Sequence, residues 1–262
     1  MILFILAGYL CFILAFYAAM IAANVVFYRG VSTPSISSFT VIKPLKGAEE
    51  GLEENLRGLL EADVPGRLQV LFAVESEEDA AHLIARKVLA AFPGRDAAIV
   101  VTGPSGERMG KIHNMIEALP KARYDRIVFS DSDVFADARL LGETSAAFDR
   151  GTQAVYAAPY FYRVSGLAQG LFALAFNYGF SVGGALMAKA GVFRGFSGAW
   201  MGFTREALAR VGGLAPLSTV VADDYALGMA MLKAGIPVGL LKAPAELRES
   251  AGGVREALAH FY

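Results

Sequence analysis

The chain has 262 residues, 24 basic and 25 acidic side chains for a net charge of −1, and 55% hydrophobic content. That length supports one large α/β domain with a full core, and the charge balance excludes the basic surplus of a nucleic-acid-binding protein, so no nucleic-acid partner is expected. A single cysteine, Cys11, and three scattered histidines, His82, His113 and His260, exclude a disulfide framework, a cysteine zinc site and a paired-histidine metalloprotease.

Met1 to Tyr28 contains no charged side chain, and roughly 20 apolar residues cross a bilayer as a helix. No Lys or Arg precedes Arg29, which disfavours a signal peptide with a basic leading region. An uncleaved anchor over residues 1–28 is expected. Arg29, Lys43 and Lys46 follow it and place the next domain on the cytoplasmic side. Residues 29–38 form a linker, polar from Ser32 to Ser38, and a folded domain runs over 39–262.

From there, apolar runs alternate with helical patterns, the sign of an α/β sheet domain. Strands are predicted at Phe39–Ile42 (stopped by Pro44), Leu68–Val74, Ala98–Thr102, Arg126–Ser130, Ala154–Ala157 and Val238–Leu241. Helices are predicted at Glu49–Glu61, Glu78–Ala91, Lys111–Leu119, Asp137–Phe148, Thr204–Val211 and Asp223–Ala234. Val164 to Ala188 carries no charge, but its glycines, Gln169 and Asn177 make it a poor spanning helix. A crossing there would also separate Asp133 from Asp224. Two readings stand for it: an apolar segment at the membrane interface, or a buried core helix.

The sharpest feature is Ile127-Val-Phe-Ser-Asp131-Ser-Asp133, an apolar strand running into two carboxylates. Ligands of open α/β sheets bind beyond the carboxyl ends of strands, and such a pair can hold Mg²⁺ or Mn²⁺ with a diphosphate completing the shell. A D-x-D turn with no ligand is the plainer alternative. Asp223 and Asp224 open a predicted helix; they either cap it or supply a general base to an acceptor hydroxyl. The lysines of Lys43-Pro44-Leu45-Lys46-Gly47 can reach a phosphate, or belong to a polar loop. Gly106 to Asn114 is not a P-loop, since Ser105 and Ile112 stand where its first glycine and its Ser/Thr belong. Lys111 still opens a helix, where an anion is welcome. Gly195-Phe-Ser-Gly-Ala199 lacks the last glycine of a serine-hydrolase elbow.

In this order, these motifs resemble the ceramide-glucosyltransferase family, within the family-2/21 GT-A glycosyltransferases that include bacterial hopanoid-biosynthesis enzymes. The resemblance runs from the N-terminal span and Val41–Gly47 through Gly110–Asn114 and the acidic triplet. It continues to Ser197-Gly-Ala-Trp-Met-Gly-Phe-Thr-Arg205, Gly212-Gly213 and Ala222-Asp-Asp-Tyr225. It implies a GT-A fold, a mixed α/β sheet flanked by helices behind an N-terminal transmembrane helix. It implies an inverting transfer of glucose or N-acetylglucosamine from a UDP-sugar to a lipid hydroxyl, at a bacterial inner membrane. Asp224 would be the base, with Asp223 its acidic neighbour at the donor. Asp133 and Asp131 would hold the metal and diphosphate. Pro44, Lys46, Lys111 and Asn114 would lie along the nucleotide sugar, and Gly198 and Trp200 would border the donor sugar and the acceptor.

Two departures stand out. Ser76 occupies the family's first aspartate position, leaving Glu75 or Glu77 to meet the uracil. No Q/R-x-x-R-W motif and no further membrane segments precede Tyr262, so a chain of this length is expected to bind donor and transfer poorly. The competing classes are a polysaccharide synthase, a non-catalytic nucleotide-sugar-binding membrane protein, and a nucleotidyltransferase, in which Asp223-Asp224-Tyr225 would have no role.

Overall fold

The computed structural model describes residues 2–30, 35–64, 66–161, 164, 166–178 and 196–248. It opens on α1 (Ile2–Tyr28), which is apolar on every side yet largely exposed, with Phe4 at 82% and Val26 at 70% accessibility. A helix that is hydrophobic all round belongs in a protein core or a bilayer, and Phe4–Tyr28 is long and apolar enough to cross a membrane. Near its end, Met20 and Asn24 are buried and Arg139 donates to the Tyr28 carbonyl. Below it, the Asp149 carboxylate accepts the Ser35 and Ser37 hydroxyls and the Ile36 N–H.

The domain is a three-layer α/β sandwich. β1 (Phe39–Pro44), β2 (Leu68–Val74), β3 (Ala97–Val101) and β4 (Arg126–Ser130) run parallel. They are linked by α2 (Leu52–Glu61), α3 (Ala80–Ala91) and α4 (Gly110–Ala118). β5 (Val134–Phe135), α5 (Ala138–Asp149), β6 (Ala154–Tyr156), β7 (Pro159–Phe161) and α6 (Gly166–Phe176) follow. β8 (Trp200–Thr204), α7 (Arg205–Arg210), α8 (Asp223–Lys233), β9 (Val238–Leu240) and β10 (Ala245–Leu247) complete the described chain. The main sheet has the order β3-β2-β1-β4-β8-β6-β9, with β8 antiparallel to both neighbours. A small second sheet has the order β5-β10-β7.

Strands buried on both faces read as continuous apolar runs, which is why β1, β2 and β4 fall where the sequence predicts. One core layer packs Leu56, Leu59, Ala85 and Leu140 from α2, α3 and α5 on the sheet. The other packs Ile112, Met115, Leu208 and Met231 from α4, α7 and α8. Helix starts follow local chemistry: Asp79, Asp137 and Thr204 cap α3, α5 and α7 by accepting the N–H of Ala81, Leu140 and Ala207. Asp223 is not a cap. Ala222 holds that position on α8 without a side-chain bond, and both acids lie in the first turn.

Of the apolar stretch Val164–Ala188, residues 165 and 179–188 lie outside the described residues. Gly166–Phe176 forms α6, with Ala173 and Gln169 buried and Leu167, Leu171 and Leu174 exposed at 80%, 59% and 66%. The Asn177 amide pairs with both backbone groups of Phe161, at 2.7 Å each, and so docks the end of α6 on β7.

Gly202 lies in register with Val128 on one side and Val155 on the other. A Cβ there would stand 2.8 Å from Val155 Cγ2 and 3.1 Å from Phe148 Cζ. Gly202→Val is therefore expected to overpack the sheet centre and destabilise the protein by about 1–3 kcal/mol, read as a lower melting temperature in detergent.

Candidate active site

The chain order β3-β2-β1-β4 reverses direction at β1: β2 and β3 build outward on one side and β4 on the other. At such a switch point the loops leaving neighbouring strands diverge and open a crevice beyond their carboxyl ends. A cavity of about 470 Å³ lies there. Its wall is formed by Pro44, Leu45 and Lys46 after β1, Glu75 after β2, Gly110, Lys111 and Asn114 of α4, and Asp131, Ser132 and Asp133 after β4. Glu49 and Glu50 also line it and were not singled out in the sequence.

The β1 loop turns at Gly47, whose φ of +66° favours glycine. Its N–H bonds to Asp79 Oδ1 at 2.8 Å, so the α3 cap also holds this turn. Lys46 is exposed at the mouth. Lys43 is not available to a phosphate: it is fully buried beneath the acidic turn, and burial pushes its ammonium down to about 8, against the pull of Asp133, Asp131 and Glu49. Glu75 accepts both the backbone N–H and the hydroxyl of Ser105, at 3.2 Å each. Asn114 lines the cavity but is itself buried, accepting from the Thr102 hydroxyl at 2.6 Å while its amide faces the Leu45 and Ala73 carbonyls.

Lys111 reaches across from α4 to Asp131 Oδ1 at 2.6 Å and stands 3.9 Å from Asp223. Burial opposes its charge, but Asp131, Asp223 and Asp224 outweigh it and hold the ammonium above its ordinary value. Burial pushes the Asp223 carboxyl up; Lys111 pulls the other way, while Asp224 and Asp131 add to the rise. Asp224 accepts the Gly198 N–H at 2.8 Å and the Tyr225 N–H at 2.7 Å. Gly198 is where these groups converge: a Cβ there would lie 3.3 Å from Lys111 Nζ, 3.4 Å from Asp224 Oδ2 and 3.6 Å from Asp131 Oδ2. Elements far apart in sequence thus bring Asp131, Lys111, Asp223, Asp224 and Gly198 into one cluster beside the cavity.

Trp200 departs from its expected place at the donor sugar and acceptor. Its side chain is fully buried and its indole N–H donates to the Thr144 hydroxyl at 3.0 Å. It heads β8, opposite Ser130, and period-two alternation turns it into the core.

Among the described residues no group of three or more His, Cys, Asp or Glu is arranged to hold an ion by itself. Asp131 and Asp133 on one cavity wall still fit a hard divalent ion of the Mg²⁺ kind, which takes one or two carboxylates and fills its shell with phosphate oxygens and water.

The fold has relatives among solved structures. A mannosyltransferase from Pyrobaculum calidifontis, solved with GDP-Man and Mn²⁺, superposes with a TM-score of 0.58 at 22% identity, over 88% of this chain and 65% of that one. The glucosyl-3-phosphoglycerate synthase of Mycobacterium tuberculosis gives 0.51 at 14% identity, over 86% and 75%. The mixed sheet with its switch-point crevice is the GT-A fold. The glycosyl transferase family 21 model matches residues 7–262, so the chain belongs to that family. Ceramide glucosyltransferase 1 of Caenorhabditis elegans is 27% identical over 95% of this chain and 53% of its own length. The chain thus spans about half the length of the relatives it matches.

Two substitutions separate core from site. Trp200→Phe loses one buried hydrogen bond, and Thr144 keeps its bond to the Leu140 carbonyl. It should cost about 1–2 kcal/mol, read as a lower melting temperature, and leave any nucleotide affinity measured by calorimetric titration unchanged. In Gly198→Ala the new Cβ lies 3.3 Å from Lys111 Nζ, a tight contact that the flexible end of the lysine relieves by a small shift, so the variant should fold yet crowd the point where the site groups meet. Its turnover should fall on the order of 10²-fold with the melting temperature preserved.

Proposed function

We propose that the chain transfers glucose or N-acetylglucosamine from a UDP-sugar to the hydroxyl of a membrane lipid of the ceramide or hopanoid kind, with inversion at the anomeric carbon. The observation that carries this reading is the convergence of Asp224 with the Asp131–Lys111 pair on Gly198. One group suited to take a proton and another suited to face a diphosphate lie side by side. The donor half follows from the cavity: Glu75 accepts a uracil N–H, Lys46 and Lys111 face the phosphates, and Asp131 and Asp133 hold the divalent ion. The Mn²⁺ and nucleotide or nucleotide sugar in the two solved relatives support that donor chemistry. When bound, Mg²⁺ or Mn²⁺ neutralises charge on the departing diphosphate.

Asp224, oriented by two backbone N–H groups, accepts the proton of the lipid hydroxyl as its oxygen bonds to the anomeric carbon. The bond from that carbon to the diphosphate breaks on the opposite face, and UDP leaves with the electron pair. The ceramide glucosyltransferases that the chain resembles support a lipid acceptor. So does the apolar surface: the exposed leucines of α6 continue toward α1, where the Tyr17 and Tyr178 rings meet at 5.0 Å. Such a face lies in the interface plane, with the domain on the cytoplasmic side.

Membranes carrying the protein, incubated with labelled UDP-glucose or UDP-N-acetylglucosamine, should yield one labelled lipid class by mass spectrometry. Asp224→Asn should lower that yield by about 10²–10⁴-fold while UDP binding persists. Activity within tenfold of the unaltered protein would rule out the role given to Asp224.

A further inference from the structure

A lysine with no exposed surface is rare unless its charge and donors are answered. Lys43 sits near the end of β1, on the same face as Val41, and its side chain is 0% accessible. An ammonium has three N–H donors, and here each is taken. One goes to the Ser130 hydroxyl at 3.1 Å, one to the Asp131 carbonyl, and one to the Val134 carbonyl at 2.9 Å. Ser130 ends β4 and Val134 begins β5, so the ammonium holds the Ser130 side chain on one flank of Asp131-Ser132-Asp133, the Val134 carbonyl on the other and the first carbonyl of the triplet itself. The carbonyls between are answered as well. Asn55 donates to Ser132 O at 3.1 Å, the Arg248 N–H to Asp133 O at 2.9 Å, and the Val134 N–H closes the turn on Asp131 O at 3.3 Å. With its carbonyls bound on the inner side, the turn presents the carboxylates of Asp131 and Asp133 on the cavity wall. Nearby, Glu49 accepts from the Ser132 hydroxyl at 2.5 Å. The buried cation is the positive charge beneath this group of acids.

We propose that Lys43 is a positioning residue for the donor site: by holding both ends of the Asp131–Asp133 turn, it sets the spacing of the two carboxylates that receive the metal–diphosphate end of the donor. The inference rests on the metal-dependent reading of the donor site. It assigns Lys43 no contact with substrate.

The test measures Mn²⁺ affinity by electron paramagnetic resonance, and UDP affinity with and without Mn²⁺, on the full chain in detergent. Lys43→Met keeps the volume and removes the donors and the charge. Thr40→Val on the same strand loses a buried bond to Gln69 at 2.8 Å and touches nothing in the turn; it calibrates the effect of destabilisation alone. Lys43→Met should weaken Mn²⁺ binding at least tenfold and raise the donor KM more than it lowers kcat, whereas Thr40→Val at a matched melting temperature should do neither. Equal Mn²⁺ affinity in Lys43→Met and the unaltered protein, or an equal loss in Thr40→Val, overturns the proposal. If the unaltered protein binds UDP without regard to Mn²⁺, it is the metal-dependent reading of the site that fails. Should Lys43→Met not fold, Lys43→Gln keeps two N–H donors without the charge, and the same two outcomes decide.

Discussion

The site must hold carboxylates from the β1 loop, the β4 turn and the start of α8 together in a half-buried space. Like charges at such range repel, and burial removes the water that would screen them. The fold answers each acid with a partner from a different element. Asp131 meets Lys111 of α4, Asp224 meets the N–H of Gly198, Glu75 meets Ser105, and Glu49 meets Ser132. Each of these pairs joins two different elements, so the cluster exists only once the sheet has formed. The tightness also fixes residue size. A Cβ on Gly110 would lie 2.6 Å from Glu75 Oε1, where no side chain fits without moving that carboxylate. Glycines at 110 and 198 thus follow from charge assembly rather than from turn geometry.

The second sheet ties this cluster to the apolar surface. β5 leaves the acidic turn directly, β10 pairs with it, and β10 also pairs with β7. β7 in turn receives Asn177 from the end of α6, and Phe161 packs on Phe172 and Phe176. Arg248 strengthens the near end. Its guanidinium lies over the Phe135 ring, pairs with Glu246 and Glu54, and its backbone N–H holds the Asp133 carbonyl. A continuous hydrogen-bonded path therefore joins the proposed metal-binding turn to the helix whose leucines face outward. Such a path suits the proposed chemistry, in which a water-soluble donor and a lipid acceptor approach from different sides.

Much of this was legible because parallel buried strands and amphipathic helices leave strong periodic signals. β1, β2, β4 and the helices around them fall within a few residues of their predicted bounds. β8 is absent from the predicted strands because the glycine in Trp200-Met-Gly-Phe-Thr204 interrupts the pattern. It is nevertheless the strand that joins β4 to β6. β5, β7 and β10 have two or three residues each, too few for any period to show. Asp131, Asp133, Lys111 and Asp224 were legible as chemistry because charged residues at the ends of apolar elements stand out. Lys43 and Trp200 were misplaced for one shared reason. Their motifs suggested substrate contact, while strand alternation, which decides where a side chain points, turned both inward.

The two helices at the site, α4 and α8, lack the side-chain caps that α3, α5 and α7 carry; α2, with Gly51 at its cap position, lacks one too. α4 carries Lys111 in its first turn, a cation at the positive end of the helix dipole, which is locally unfavourable. α8 carries two acids there, well placed to cap, yet Asp224 reaches out to Gly198 and Asp223 faces Lys111 instead. Each departure costs its own helix a fraction of the roughly 1 kcal/mol that a cap contributes, and each is answered by the other, since the misplaced cation of α4 is held by the acids of α8 and β4. Local rules broken in complementary pairs are what a site selected for chemistry leaves behind. The pairing also separates the roles of the adjacent acids. Asp223 faces the cation, and Asp224, bonded to the N–H groups of Gly198 and Tyr225, is the carboxylate proposed above as the base.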